Sequence, residues 1–302
     1  MADGFGRVSR KPGVCFATSG PGATNILTGL ATAQADSAPM IAVTGQVPVA
    51  MIGKDAFQES DIIGMANPVV KYAFQPRLPG DVPEAVKKGF YIAETGRPGP
   101  VLIDVPKDVQ QNEAPMDFPD EFKIQGYHPW NDPDIGSVEK AIDMLLNSER
   151  PIILAGGGTI ISSAFAELQA IAETLMLPVV TTFKGKGAFP ENHPLSLGPI
   201  GMHGHAEANK MMAEADCVLA IGTRFSDRSV GTFEAFEKRL KIIHLDVDPA
   251  EIGKNQTTSV AVVGDVRASL RVMVKLLLQR AVKKTEDSLW LKHVKETKAV
   301  SY

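Results

Sequence analysis

Four stretches of the chain carry glycines, arginines or acids in patterns able to do chemistry. Thr18 to Asn25 reads T-S-G-P-G-A-T-N, a Gly-Pro-Gly turn between an apolar run and a run of helical spacing. A helix opening there presents free N–H groups and the positive end of a dipole, which suits an anion. Gly156-Gly157-Gly158 also lies between an apolar run and a helical one. Glycines there let backbone approach a ligand closely, and a tight strand–helix turn would need them equally. The run is not G-x-G-x-x-G, so the dinucleotide fingerprint is absent. Gly222 to Arg228 reads G-T-R-F-S-D-R and follows the apolar run Cys217–Ile221. It sets Arg224 and Arg228 just past a strand end, where guanidinium forks suit a phosphate or carboxylate. His244 to Pro249 ends another strand on Asp246. An acid at that place accepts a ribose hydroxyl or caps a helix opened by Pro249.

Other polar groups say less by themselves. His203 and His205 are two residues apart with no third ligand nearby in sequence, a poor zinc pattern. Lys107 directly follows an apolar run, and Asp55-Ala56-Phe57-Gln58-Glu59 is a polar loop with one aromatic. There is no G-x-S-x-G, H-E-x-x-H or P-loop. The two cysteines, Cys15 and Cys217, each sit inside an apolar run and read as small buried hydrophobes in a reducing compartment.

The elements that must position these groups follow from periodicity. Gly13–Ala17, Met40–Thr44 and Val101–Val105 read as strands, alternating with helices at Ala23–Ala35 and Asp81–Glu94. Continuous apolar strands separated by helices indicate a parallel sheet covered on both faces. Residues 111–135 are proline-rich and acidic, with linker composition. A second series follows: a helix at Ser137–Leu146 capped by Ser137, strands at Ile152–Ala155, Pro178–Thr182, Cys217–Ile221, Ile242–Val247 and Val260–Val263, and helices at Ala164–Leu175 and Val266–Leu278. The fold class is therefore α/β, with two doubly wound parallel-sheet domains over residues 1–110 and 136–282. Residues 283–302 read as the start of a further linker, and within them Ser288–Tyr302 is a basic helical stretch with Trp290 and no obvious core to join.

Composition agrees. The 302 residues are 44% hydrophobic and 22% charged, ordinary for a globular protein. A net charge of -4 gives no footprint for nucleic acid. No apolar run approaches the ~20 residues of a membrane span, and no signal-peptide pattern opens the chain, so a cytoplasmic location is expected.

Several stretches resemble one family in its own order: TSGPGATN, TGQVP (Thr44–Pro48), IGKDAFQE (Ile52–Glu59), GRPGPVLIDVPKDV (Gly96–Val109), GMHG (Gly201–Gly204) and GTRFSDR. Together they resemble the large catalytic subunit of acetolactate synthase, a thiamine-diphosphate-dependent carboligase. The first motif recurs among many thiamine diphosphate enzymes. DAFQE with GRPGPVLIDVPKDV is much more specific. The resemblance implies three α/β domains: a pyrimidine-binding domain, of which 1–110 is a part; a Rossmann-like central FAD domain; and a third, expected beyond residue 302, that holds the diphosphate through Mg2+. It also implies an activating glutamate upstream of Met1.

By motif, Pro21, Asn25 and Gln58 are implied to meet the aminopyrimidine, with Gln58 and Lys107 on the catalytic side. The glycine turn then approaches an uncharged ring rather than the diphosphate. Asp36, Phe57 and Arg97 are implied flavin neighbours. Gly156, Gly157, Gly158, Thr182, Phe183, Met202, His203, Gly222, Thr223, Arg224 and Arg228 are implied to form the FAD surface. Asp246, Val247, Asp265 and Val266 match its adenosine end. Two departures stand out: Ser226 replaces a usual acid, and Tyr72 a usual His or Trp. The implied reaction joins two pyruvates, or pyruvate and 2-oxobutyrate, in branched-chain amino-acid synthesis. A homodimer or complementing chain, and a small regulatory subunit, are the implied partners. A split subunit serving as a flavin-binding module, or a related carboligase or pyruvate oxidase, are the competing expectations.

Overall fold

The computed structural model describes residues 1–129, 132–230, 240–285 and 287–300. The chain divides into two compact units, Met1–Pro129 and Trp130–Tyr302.

The first unit opens with helix α1 (Ala2–Ser9) and strand β1 (Gly13–Ala17). Then come α2 (Pro21–Asn25), α3 (Leu27–Asp36), β2 (Met40–Gln46), α4 (Ile62–Ala66), β3 (Tyr72–Phe74), α5 (Val82–Glu94), β4 (Pro100–Pro106) and α6 (Lys107–Gln111). The sheet order is β1-β2-β4-β3 and every pairing is parallel. Alternation along β4 serves two cores. Val101, Ile103 and Val105 face a cluster with Ile92 and Ala93 of α5, while Leu102 joins Leu30 and Ala33 of α3 and Ile62 of α4. Such two-sided burial is why the strand reads as a nearly continuous apolar run, interrupted only by Asp104. Within 111–129, Tyr127 packs edge-on against Tyr91 of α5, their centroids 6.0 Å apart. Its hydroxyl also receives a hydrogen bond from Lys71 Nζ at 3.1 Å.

The second unit contains α7 (Ile135–Leu146), β5 (Pro151–Ala155), α8 (Gly157–Ile161), α9 (Phe165–Leu175), β6 (Val179–Thr181), β7 (Ser196–Pro199) and α10 (Ala206–Glu214). It continues with β8 (Cys217–Ile221), α11 (Asp227–Val230), β9 (Lys241–Asp246), β10 (Val260–Val263), α12 (Val266–Gln279) and α13 (Leu289–Val300). The parallel sheet runs β10-β9-β8-β5-β6-β7. The chain winds outward through β5, β6 and β7, then returns to β8 on the other side of β5. The switch point of this sheet therefore lies between β5 and β8, the place where open α/β sheets take ligands. Ile153 and Ala155 face one core, Ile152 and Leu154 the other.

Several sequence expectations are corrected. The helix foreseen at Ala23–Ala35 is two helices, broken at Ile26, whose N–H reaches back to Ala23 in a tighter turn. The cap of α7 is Asp134, not Ser137: its carboxylate accepts from the Ser137 N–H at 2.8 Å. Cys15 is half-buried rather than buried, while Cys217 is fully enclosed. Strands β3 and β7 carry no readable period, being three and four residues long with Gly198 and Pro199 in β7; the nine-residue helix α10 is also absent from the sequence reading. The tail does join a core. Trp290, Leu291 and Val294 of α13 are buried, and Trp290 Nε1 donates to Pro151 O at 3.0 Å. Val300 is the last described residue of the tail, and Ser301 and Tyr302 lie outside the described residues. Among the described residues no helix is long and apolar enough to cross a membrane.

Candidate functional sites

In the first unit the carboxyl ends of β1, β2 and β4 converge. Gly20 has φ +59, and a Cβ placed there would lie 2.9 Å from the Gln58 carbonyl oxygen. Gln58 itself is left-handed at φ 60. The turn and the DAFQE loop, 38 positions apart, thus meet backbone to backbone. Glycine is required at Gly20 both by its dihedral and by this approach. Pro21 and Asn25 stand exposed on α2, and Gln58 is exposed beside them. Since α2 spans five residues before its break, it has little macrodipole to offer an anion. Phe57 is 89% exposed on the same loop, and Lys107 opens α6 at the carboxyl end of β4.

Two polar anchors shape this loop. The Glu59 carboxylate accepts from the backbone N–H groups of Gly53 and Ala56, which holds its pKa below the usual glutamate range. Gln46, at the end of β2, donates from Nε2 to Ser60 O at 2.9 Å and to Asp104 at 3.1 Å. Asp104 is fully buried in β4 and also accepts from Thr44 at 2.6 Å and Gln75 at 2.8 Å. Burial pushes its pKa up against those three donors. Sequence reasoning passed over this node, although an acid inside the apolar run VLIDV was its signal.

Asp36 and Arg97 do not join that group. Asp36 ends α3 before β2 begins, and Arg97 precedes β4, so both lie at the amino edge of the sheet. There Arg97 donates to Ser37 Oγ at 2.9 Å, and Asp36 pairs with Arg7 at 2.6 Å.

In the second unit the glycine loops touch one another. Gly156 N–H donates to Ile221 O at 2.8 Å and Gly158 N–H to Gly222 O at 3.0 Å. A Cβ on Gly156 would lie 2.2 Å from Gly222 O, and one on Gly222 2.5 Å from Gly158 Cα. Close approach is thus spent first on joining the loops after β5 and β8 at the switch point. The loop after β6 enters likewise: Gly185 has no room for a Cβ beside Ala155 O, and Thr182 Oγ1 accepts from Gly185 N–H. The hydroxyls of Thr182 and Thr223 are buried and hold their own loops.

Above these glycines stand the candidate ligand contacts. Phe183 is 79% exposed, Met202 69%, and His203, Arg224 and Arg228 are exposed as well. Arg228 approaches Met202 Sδ at 3.9 Å, and Met202 N–H donates to Arg228 O at 3.4 Å. Strands β5 and β6 lie between β7 and β8, so this contact bridges their carboxyl ends. Asp246 closes β9 next to β8, where Leu245 O accepts from Gly222 N–H, and its carboxylate accepts from Asp248 N–H at 3.0 Å. Val247 follows it directly. Asp265 caps α12 through Ala268 N–H at 2.9 Å, and Val266 is buried. Two arginines, exposed apolar side chains and a glycine floor at a switch point fit a dinucleotide. Among the described residues no three His, Cys, Asp or Glu side chains are placed to hold a metal ion.

The fold and these two edges define a class. Residues 1–65 match the thiamine pyrophosphate enzyme N-terminal TPP binding domain, and residues 138–273 match the thiamine pyrophosphate enzyme central domain. The chain thus carries two domains of thiamine pyrophosphate enzymes. Among these enzymes, the similarity is to acetolactate synthase large subunits. It is 50% identical to the probable large subunit of Methanocaldococcus jannaschii over 99% of this chain and 51% of that protein. Identity is 47% with the Parasynechococcus marenigrum large subunit, over 97% of this chain and 48% of the relative. For the Corynebacterium glutamicum large subunit it is 45%, over 99% and 48%. The chain spans about half the length of these relatives.

Proposed function

We propose that this chain supplies the pyrimidine-side and flavin-side surfaces of an acetolactate synthase large subunit. That enzyme would join two pyruvates, or pyruvate and 2-oxobutyrate, into acetohydroxy acids for branched-chain amino-acid synthesis. One observation carries the reading. Gly20 and Gln58, distant in sequence, meet at the carboxyl edge of a parallel sheet, in a chain 45–50% identical to such subunits over nearly all its length.

The residues divide the work as follows. The Gly20 turn leaves backbone open to a flat ring, and Pro21 offers it an apolar face. Asn25 and Gln58 present amides for polar ring atoms, the Gln58 loop being held in place by the Glu59 and Gln46 anchors. Lys107, a cation at the end of β4, suits a carboxylate substrate on its way in. When bound, thiamine diphosphate supplies the carbanion and electron sink of the carboligation. On the second unit Arg224 and Arg228 suit the pyrophosphate of FAD, with Asp246 beside its ribose. Phe183 and Met202 offer apolar contact for the flavin ring. Asp36 and Arg97 belong to this reading only if flavin reaches the amino edge of the first sheet. Mg2+ and the diphosphate fall to groups outside these two units. A second copy or a complementing chain, and a small regulatory subunit, are the proposed partners.

Two measurements test this. Reconstitution with FAD should give a yellow protein with quenched flavin fluorescence; a colourless protein after gel filtration counts against the flavin surface. Acetolactate formation from pyruvate, with thiamine diphosphate, Mg2+ and FAD added, should be absent for this chain alone. It should appear on mixing with a chain carrying the remaining half of a relative. Robust turnover by the chain alone would refute that division of labour.

A further inference from the structure

The backbone of the loop that carries the exposed Arg224 is held by residues outside the loop. Gly222 and Phe225 are both left-handed, at φ 54 and φ 49, and they bracket Thr223 and Arg224. A four-residue turn with two such dihedrals is not held by local preference, since a left-handed phenylalanine is strained. Its two central carbonyls are gripped from below. His244, buried in β9, meets Thr223 O at 2.8 Å through Nε2. Asn255, in the segment after β9, donates from Nδ2 to Arg224 O at 2.8 Å. A carbonyl oxygen only accepts, so His244 carries its proton on Nε2. The imidazole also packs edge-on to Phe225, centroids 5.2 Å apart at 82°.

We propose that His244 and Asn255 are positioning residues: together they clamp the consecutive carbonyls of Thr223 and Arg224 and so direct the Arg224 guanidinium toward the pyrophosphate of a flavin dinucleotide. The inference rests on the flavin reading above. It adds to it two side chains that touch no ligand. The backbone carbonyl and the side chain of Arg224 leave the same Cα. Fixing the carbonyl inward therefore leaves the guanidinium outward, where it is exposed. The Nδ1 of His244 is buried without a hydrogen-bond partner among the described residues. An imidazole kept there despite that orphan atom is kept for its other nitrogen.

The test is FAD binding by the full chain, read by flavin fluorescence quenching. Asn255→Ala and His244→Phe, which keeps the ring contact and removes the donor, should each raise the Kd about fivefold. His244→Gln restores an Nε2 donor at similar reach and should recover most of the affinity. In an Arg224→Ala background, Asn255→Ala should cost nothing further, because the clamp acts through that side chain. A purely structural role predicts the opposite, an equal loss in both backgrounds. Amide hydrogen exchange of Thr223–Ser226 in the unliganded chain reads the clamp without any ligand and should accelerate in both single variants. Wild-type binding with unchanged Kd in the variants, or additive losses with Arg224→Ala, would overturn the clamp alone. No binding by the wild-type chain would overturn the flavin reading, and the clamp's purpose with it.

Discussion

In the first unit a left-handed glycine meets a left-handed glutamine; in the second, glycines meet glycines. Both junctions lie at the carboxyl edge of a parallel sheet, and both bring together loops far apart in sequence. The consequence differs. Gly20 against Gln58 leaves one partner with a side chain, which stands exposed next to the contact. Gly156 and Gly158 against Gly222 leave none at the contact, and the exposed side chains stand on the rims: Phe183, Met202, Arg224 and Arg228. The first edge is a site built on a contact. The second is a floor with its chemistry on the walls.

The comparison is broken most severely at Gly222. Gly222→Ala combines a disfavoured φ of +54 with a Cβ 2.5 Å from Gly158 Cα, and should destabilise the second unit by about 3 kcal/mol or more. Urea unfolding followed by Trp fluorescence checks this, since Trp290 is buried in that unit. Unchanged stability would mean the glycine floor is not required.

Gly20→Ala should be milder, about 1–3 kcal/mol, because the added methyl would lie 2.9 Å from its nearest neighbour, against 2.5 Å at Gly222. Its main readout is the first site. Binding of a thiamine diphosphate analogue by the complemented enzyme should weaken more than stability falls, while FAD affinity stays as in wild type. Equal losses at both cofactors would erase the distinction between the edges.

Acid separates the units by sign. Burial holds the His244 pKa below its ordinary value, with the Thr223 contact and Glu251 opposing. Its contribution is present above pH ~6.5 and is lost as pH falls through the lower folded value. Asp104 is the reverse: burial holds its carboxyl above the ordinary range, so its proton binding stabilises the fold. That contribution is full below the unfolded pKa of about 3.9 and is lost as pH rises through the folded value. Hydrogen exchange resolved by segment as pH falls from 7 to 5 should therefore show β9 losing protection while β4 holds or gains it. Simultaneous loss would contradict the assignment.

The smallest effect is local. Asp61 accepts from Gly64 N–H at 2.9 Å and caps α4, which follows the Gln58 loop. Asp61→Ala should cost about 1 kcal/mol in chemical denaturation and leave FAD binding untouched.

Much of this architecture could be read before any coordinates. Cys217–Ile221 and Val260–Val263 were placed to the residue, because both are apolar runs with polar flanks. The four candidate stretches were likewise found at strand ends, since glycine and arginine there interrupt an apolar pattern. What escaped had no local signature. The break at Ile26 leaves the helical period intact, and Asp134 caps α7 from a position that reads as linker. Trp290 has a partner only because Pro151, far back in the chain, turns a carbonyl toward it. The purpose of the glycines was half legible: close approach was inferred, but its object was a neighbouring loop.

The sequence alone determined two parallel α/β units and the resemblance to acetolactate synthase large subunits, because periodicity and short motifs are local properties. Only the tertiary structure decided that Gln58 meets Gly20, that Asp36 and Arg97 sit on the opposite edge, and that His244 and Asn255 grip the arginine loop. Those facts depend on strand order, β1-β2-β4-β3 and β10-β9-β8-β5-β6-β7, which sets which loops are neighbours. Strand order follows from burying both faces of each sheet at once, a condition on the whole unit that no window of sequence contains.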